Sequence, residues 1–142
     1  MEALNWKLRI VALWLIAAEA NSAHMINVTI DPVSMNLMLE WGATIPAEGW
    51  LFGAIYWLIP LWMVFVTVAV KGSANRWANF ALGIVGTLLG LYHFFMCGVP
   101  LPFIPRGPVA GPTVYHSLLL ATALVATVLI IWYAWKWPKQ DA

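Results

Sequence analysis

The chain is 142 residues long, 63% hydrophobic and only 9% charged, with a formal net charge of +1. That composition belongs to an integral membrane protein and leaves no length for a separate water-soluble domain. The near-neutral charge offers no basic surface for nucleic acid, and a lone cysteine, Cys97, excludes an internal disulfide and paired-cysteine redox chemistry.

Four apolar segments, residues 8–26, 46–70, 77–96 and 113–135, each approach or exceed the ~20 residues that a spanning helix needs. In the first, Lys7 and Arg9 mark one edge and Glu19 interrupts the apolar run. At ~1.5 Å per residue, Glu19 lies about 15 Å from Arg9, near the middle of a hydrocarbon core about 30 Å thick. An ionisable group at that depth is costly and is expected to face the bundle interior and mark a site. The same segment also resembles a signal peptide with Ala18-Glu19-Ala20 as its cleavage site, although Met25, Ile26 and Val28 carry the apolar character past the cut.

Between the first two segments, Asp31-Pro32 can cap and start a short interfacial helix. The second segment opens with Thr44-Ile45-Pro46-Ala47-Glu48, where Thr44 can cap, Pro46 suits the first turn and Glu48 complements the helix dipole. Pro60 removes one backbone bond in mid-helix, and a bend there can open a pocket beside Tyr56 and Trp57.

In the third segment, Asn79, Gly83, Gly86, Gly90, His93 and Cys97 recur at steps of three and four and share one face. Small residues let helices approach closely in lipid, so this face packs inward and carries His93 with it. His93 and Cys97 stand one turn apart and can supply two ligands to a soft metal; two ligands do not make a site, and no metal or cofactor is assigned. A proline-rich loop, residues 97–112, then caps the outer end before the fourth segment opens on Tyr115 and His116.

With alternating segments, Lys7, Arg9, Lys71, Arg76, Lys136 and Lys139 fall on one side and only Arg106 on the other. The positive-inside rule then puts both termini in the cytoplasm and the two longer loops outside, in the cytoplasmic (inner) membrane. The fold class expected is therefore all-α, a single four-helix transmembrane bundle over residues 1–142. All three histidines fall near its outer end. Each alone reads as an interfacial residue satisfied by water or a carbonyl. Together with Asn21, Ser22, Tyr92 and Tyr115 at similar depths they suggest an outward-facing polar pocket among the first, third and fourth segments, floored by Glu19 and covered by the proline loop, and the ligand-binding residues expected are Glu19, Ser22, His24, Tyr56, Tyr92, His93, Tyr115 and His116.

Ile59-Pro60, Asn75-Arg76-Trp77 with Asn79, and Trp132-Tyr133-Ala134-Trp135-Lys136-Trp137-Pro138 resemble a family of small four-helix bacterial and archaeal membrane proteins, a domain of unknown function. The resemblance covers the second to fourth segments and the acidic position of the first, and it implies a fold and topology but no activity.

Three functions fit these residues. The first is binding of an apolar ligand (lipid, quinone or isoprenoid) in the pocket, with the chain acting alone or as an accessory subunit. The second is a membrane enzyme performing isomerisation or cyclisation on a lipid-like substrate, with Glu19, His93 and His116 as its acid/base groups. The third is a proton-coupled carrier using Glu19. The expected partners are the lipid bilayer, an apolar small molecule, and further copies or a larger membrane complex.

Overall fold

The computed structural model describes residues 2–99 and 114–138. Five α-helices follow in the order α1 Glu2–Ile30, α2 Pro32–Gly42, α3 Ala47–Ala69, α4 Gly72–His93 and α5 Val114–Lys136, with no strand among the described residues. A π-helical turn, Phe94–Gly98, prolongs α4. Three spans, Ala47–Ala69, Gly72–Gly98 and Val114–Lys136, are long and apolar enough to cross a membrane. At 29 residues α1 is the longest helix, but Glu19, Asn21, Ser22, His24 and Asn27 make its second half polar and it falls outside that group.

The long helices pack through one repeating pattern. On α1 a buried stripe runs through Ile10, Trp14, Ala17, Asn21, His24 and Val28, with the buried Ala20 beside it; on α5 one runs through His116, Leu120, Ala123, Thr127, Ile130 and Ala134. Both sets alternate steps of three and four, the seven-residue repeat that keeps a seam facing its neighbour when helices cross at a shallow angle. The stripe from Asn79 to Cys97 on α4 has the same period, and Pro60, Met63 and Thr67 continue it on α3. Through these seams α1 packs against α3 and α5, and α5 against α4, while α3 and α4 touch more lightly.

The glycine face of α4 meets α5 as its spacing predicts. A Cβ on Gly83 would stand 2.9 Å from Ile131 Cγ1 and 3.3 Å from Ile130 Cγ2, and one on Gly86 3.3 Å from Thr127 Cγ2. Absence of a side chain at these positions sets the closeness of the two helices.

At the end of the molecule that carries Lys7 and Arg9, a hydrophobic cluster of Ile10, Trp14, Met63, Ile130, Ala134 and Trp137 surrounds a buried polar network. Trp14 Nε1 donates to Asn79 Oδ1 at 2.7 Å, and Asn79 Nδ2 donates to Asn75 Oδ1 at 2.7 Å. Asn75 Nδ2 in turn donates to the carbonyls of Thr67 and Val70 at 2.8 and 2.7 Å, and Lys7 Nζ reaches the Val70 carbonyl at 2.9 Å. These bonds satisfy the last carbonyls of α3, which have no partner within the helix.

Several boundaries differ from the sequence reading. The third apolar segment, expected to open at residue 77, is the helix α4 and begins at Gly72, because Gly72 adopts φ 72° and turns the chain directly from α3 into α4. Thr44 does not cap α3; its hydroxyl donates to the Trp41 carbonyl at 2.7 Å, and Pro46 takes the N-cap position. Asp31 and Pro32 start α2 as expected, with Ser34 N donating to Asp31 Oδ2 at 3.0 Å. The helix α3 continues through the buried Pro60. The proline-rich cap, Arg106 and Lys139 lie outside the described residues.

Candidate functional site

The three histidines converge at the end of the bundle away from Lys7. His24 and His116 lie on the buried stripes of α1 and α5, and His93 on the inward face of α4, so helix packing alone brings them to one level. His24 Nδ1 and His116 Nδ1 are 3.0 Å apart. Two ring nitrogens at that distance need one proton between them, so one ring donates through Nδ1 and the other accepts. His93 meets the His24 ring edge-on, with centroids 5.0 Å apart at 77°, and Tyr56 approaches His93 at 6.2 Å. Asn21 of α1 and Tyr56 of α3 border the same small void.

Cys97 is buried beside this group. One ligand atom from each of His24, His93 and Cys97 can be chosen so that all three lie within 4.8 Å of one another. His93 and Cys97 bracket the π-helical turn, a widened geometry that is rare and is often found at functional sites. Ser117 Oγ donates to the Gly98 carbonyl at 3.2 Å and ties this turn to α5. His93 Nδ1 is buried and has no hydrogen-bond partner among the described residues.

Above the histidines opens a pocket of about 280 Å³ between the first half of α3 and the end of α4, bounded by α1 and α2. Its walls are apolar and aromatic, chiefly Trp41, Trp50, Phe52 and Trp57, and its polar base is His24, His93, Tyr56 and Cys97. A Cβ added to Gly53, which lines the pocket, would meet nothing within 4 Å. Beneath it a void of about 20 Å³ bordered by Asn21, Tyr56, Pro60 and Thr127 has room for one water molecule. At the start of α2, hydrogen bonds from the Ser34 side chain and backbone hold the Asp31 carboxyl below the usual carboxylate range.

Of the residues singled out in the sequence, the structure brings His24, Tyr56, Tyr92 and His93 to the pocket and sets His116 behind His24. It does not bring Glu19 there. Glu19 is exposed on the face of α1 away from the packed seam, so it is not the pocket floor. The reason is geometric: two residues from both Ala17 and Asn21 on a helix means about 200° around the axis from either. Ser22 is exposed and donates to the Ala18 carbonyl at 2.9 Å, and Tyr115 is exposed with its ring 4.6 Å from that of His116. The pocket is also displaced from the expected position, since α2 and α3 form its walls and α5 contributes only the support of His116.

Sequence reasoning placed a pocket beside Tyr56 and Trp57, which do line it, but missed Trp41 and Trp50, whose positions read equally well as an interfacial belt. A signal for the correct orientation was present in Gly49, Gly53, Tyr56, Pro60, Met63 and Thr67, whose steps match the seams of the other helices. The fold and site thus define a helical protein with membrane-length apolar helices and an aromatic pocket based on a histidine cluster. No family model, curated protein or solved structure matches the chain.

Proposed function

We propose that the chain is a four-helix protein of the cytoplasmic membrane, with both termini inside, that binds an apolar ligand bearing a polar head, such as a lipid, quinone or isoprenoid. Membership in the small four-helix family of unknown function is part of the same reading. The observation that carries it is the pocket: about 280 Å³ walled by Trp41, Trp50, Phe52 and Trp57 over a base of imidazole and phenol groups. An apolar wall with a few convergent polar groups is the general form of a small-molecule site. A volume of this size suits the head and first chain atoms of a ligand whose tail continues into lipid.

The acid/base reading loses the group that would have driven it, since Glu19 stands outside the pocket. A carrier that depends on Glu19 meets the same objection within one copy of the chain. Self-association or a place in a larger complex fits better, because a second helix over Glu19 would relieve the cost of a carboxylate facing lipid.

Native mass spectrometry with lipid analysis on detergent-purified protein tests the binding reading. Wild type and Glu19→Gln are expected to retain the same apolar molecule, whereas Gly53→Phe, which fills the pocket without meeting a neighbour at its Cβ, is expected to lose it while remaining folded. Retention of that molecule by Gly53→Phe, or its loss in Glu19→Gln, would place binding elsewhere.

A further inference from the structure

We propose that His24, His93 and Cys97 form a binding site for one Cu(I) ion at the base of the pocket. The three come from two helices and are already gathered within 4.8 Å. Metal bonds of 2.0–2.3 Å to nitrogen and sulfur place ligands ~3.5 Å apart, so side-chain adjustments on the order of 1 Å close the site. The buried, unpartnered His93 Nδ1 is a second and independent sign, since buried polar atoms are normally satisfied and a metal would satisfy this one.

His116 supplies the support such a site needs. Metal-bound imidazoles usually donate their other N–H to a fixed acceptor. With His24 donating through Nδ1 to His116 Nδ1 at 3.0 Å, its Nε2 is left unprotonated as the ligand. Ser117 fixes the π-helical turn on which Cys97 sits.

The donor set selects the ion. A thiol with two imidazoles suits a soft or borderline cation, and the thioethers of Met25 and Met96 also line the pocket. Binding exchanges one proton for one metal ion: the Cys97 thiol releases H⁺ to water in the open pocket, and its thiolate bonds to the metal. Thiolate and Cu(I) together are neutral, whereas thiolate and Zn(II) leave a net positive charge in an apolar bundle, which is costly. Among the described residues no carboxylate belongs to the cluster to offset that charge.

This proposal stands apart from the apolar-ligand reading, because metal content is measured without any such ligand. The test is an anaerobic titration of the purified full chain in detergent with Cu(I), in competition with a chromophoric Cu(I) chelator. One Cu(I) per chain is expected. Cys97→Ser and His93→Ala should abolish that binding, and His116→Ala should keep the stoichiometry while weakening affinity about 10–100-fold, the range seen when support of a metal-bound histidine is lost. Gel filtration and circular dichroism establish that each variant is folded. X-ray absorption on the wild-type complex reads the ligands directly and should show one sulfur and two imidazole nitrogens, so the assignment is testable even where a variant does not fold. Failure of wild type to bind, undiminished affinity in Cys97→Ser, a sulfur-free coordination shell, or a bound Zn(II) that Cu(I) does not displace would each overturn it.

Discussion

Asn79 is the residue on which most of the buried polar network turns. Its carbonyl oxygen accepts from Trp14, its amide nitrogen donates to Asn75, and through Asn75 it is linked to the end carbonyls of α3. A single side chain therefore joins α1, α3 and α4, its oxygen accepting from Thr67 Oγ1 at 3.0 Å as well. Removing it strands the Trp14 N–H in a fully buried position. Asn79→Ala is expected to lower stability by about 1–3 kcal/mol, the cost of leaving a buried group unsatisfied. Equilibrium unfolding in detergent should show that loss. Trp14→Phe alone should cost less than Asn79→Ala, and the double variant should cost less than the sum of the two, because Phe leaves no N–H to strand.

Among the helices, the seam between α4 and α5 shows how a pattern of small residues becomes a distance. Gly83 has no room for even a Cβ without displacing Ile131, whereas Gly53 on α3 faces open space. Gly83→Leu is accordingly expected to destabilise by about 1–3 kcal/mol through overpacking, while Gly53→Leu remains near wild type in the same unfolding measurement. The α4 stripe was legible in the sequence because its glycines stand out from large apolar neighbours. So was α2, because Asp31-Pro32 is a local start signal that needs no tertiary partner. Reading the orientation of α1 from Glu19 turned the wrong face inward, because Ile10, Trp14, Ala17, Asn21, His24 and Val28 form the seam that decides which way the helix faces. In the same way His24 and His116 were placed at one depth by counting residues, but the 3.0 Å approach of their rings follows from how α1 and α5 pack. The rare turn after His93 carries no sequence signal that separates it from ordinary helix.

For the molecule as a whole, the cations among the described residues gather at one end, two of them against aromatic rings. Lys7 reaches the Val70 carbonyl at 2.9 Å, and the Arg9 guanidinium lies 5.6 Å from the Trp6 ring centre and 5.7 Å from that of Tyr133, so the start of α1, the link from α3 to α4 and the close of α5 share a level. Arg76 sits 5.0 Å over Trp77 at the same end. Cations stacked on aromatic rings suit the boundary between headgroups and hydrocarbon, and clustered Lys and Arg mark the cytoplasmic side. On the topology we propose, the histidine pocket opens at the opposite face, toward the outside of the cell. A green fluorescent protein fused to the C-terminus should therefore fluoresce, and an alkaline phosphatase fused at the same point should be inactive. Inserting either reporter after Ala43, between α2 and α3, should reverse the pair of results, since that link lies beside the pocket at the far end. The opposite pattern would turn the bundle over and open the pocket to the cytoplasm, where a ligand would enter from the inner leaflet.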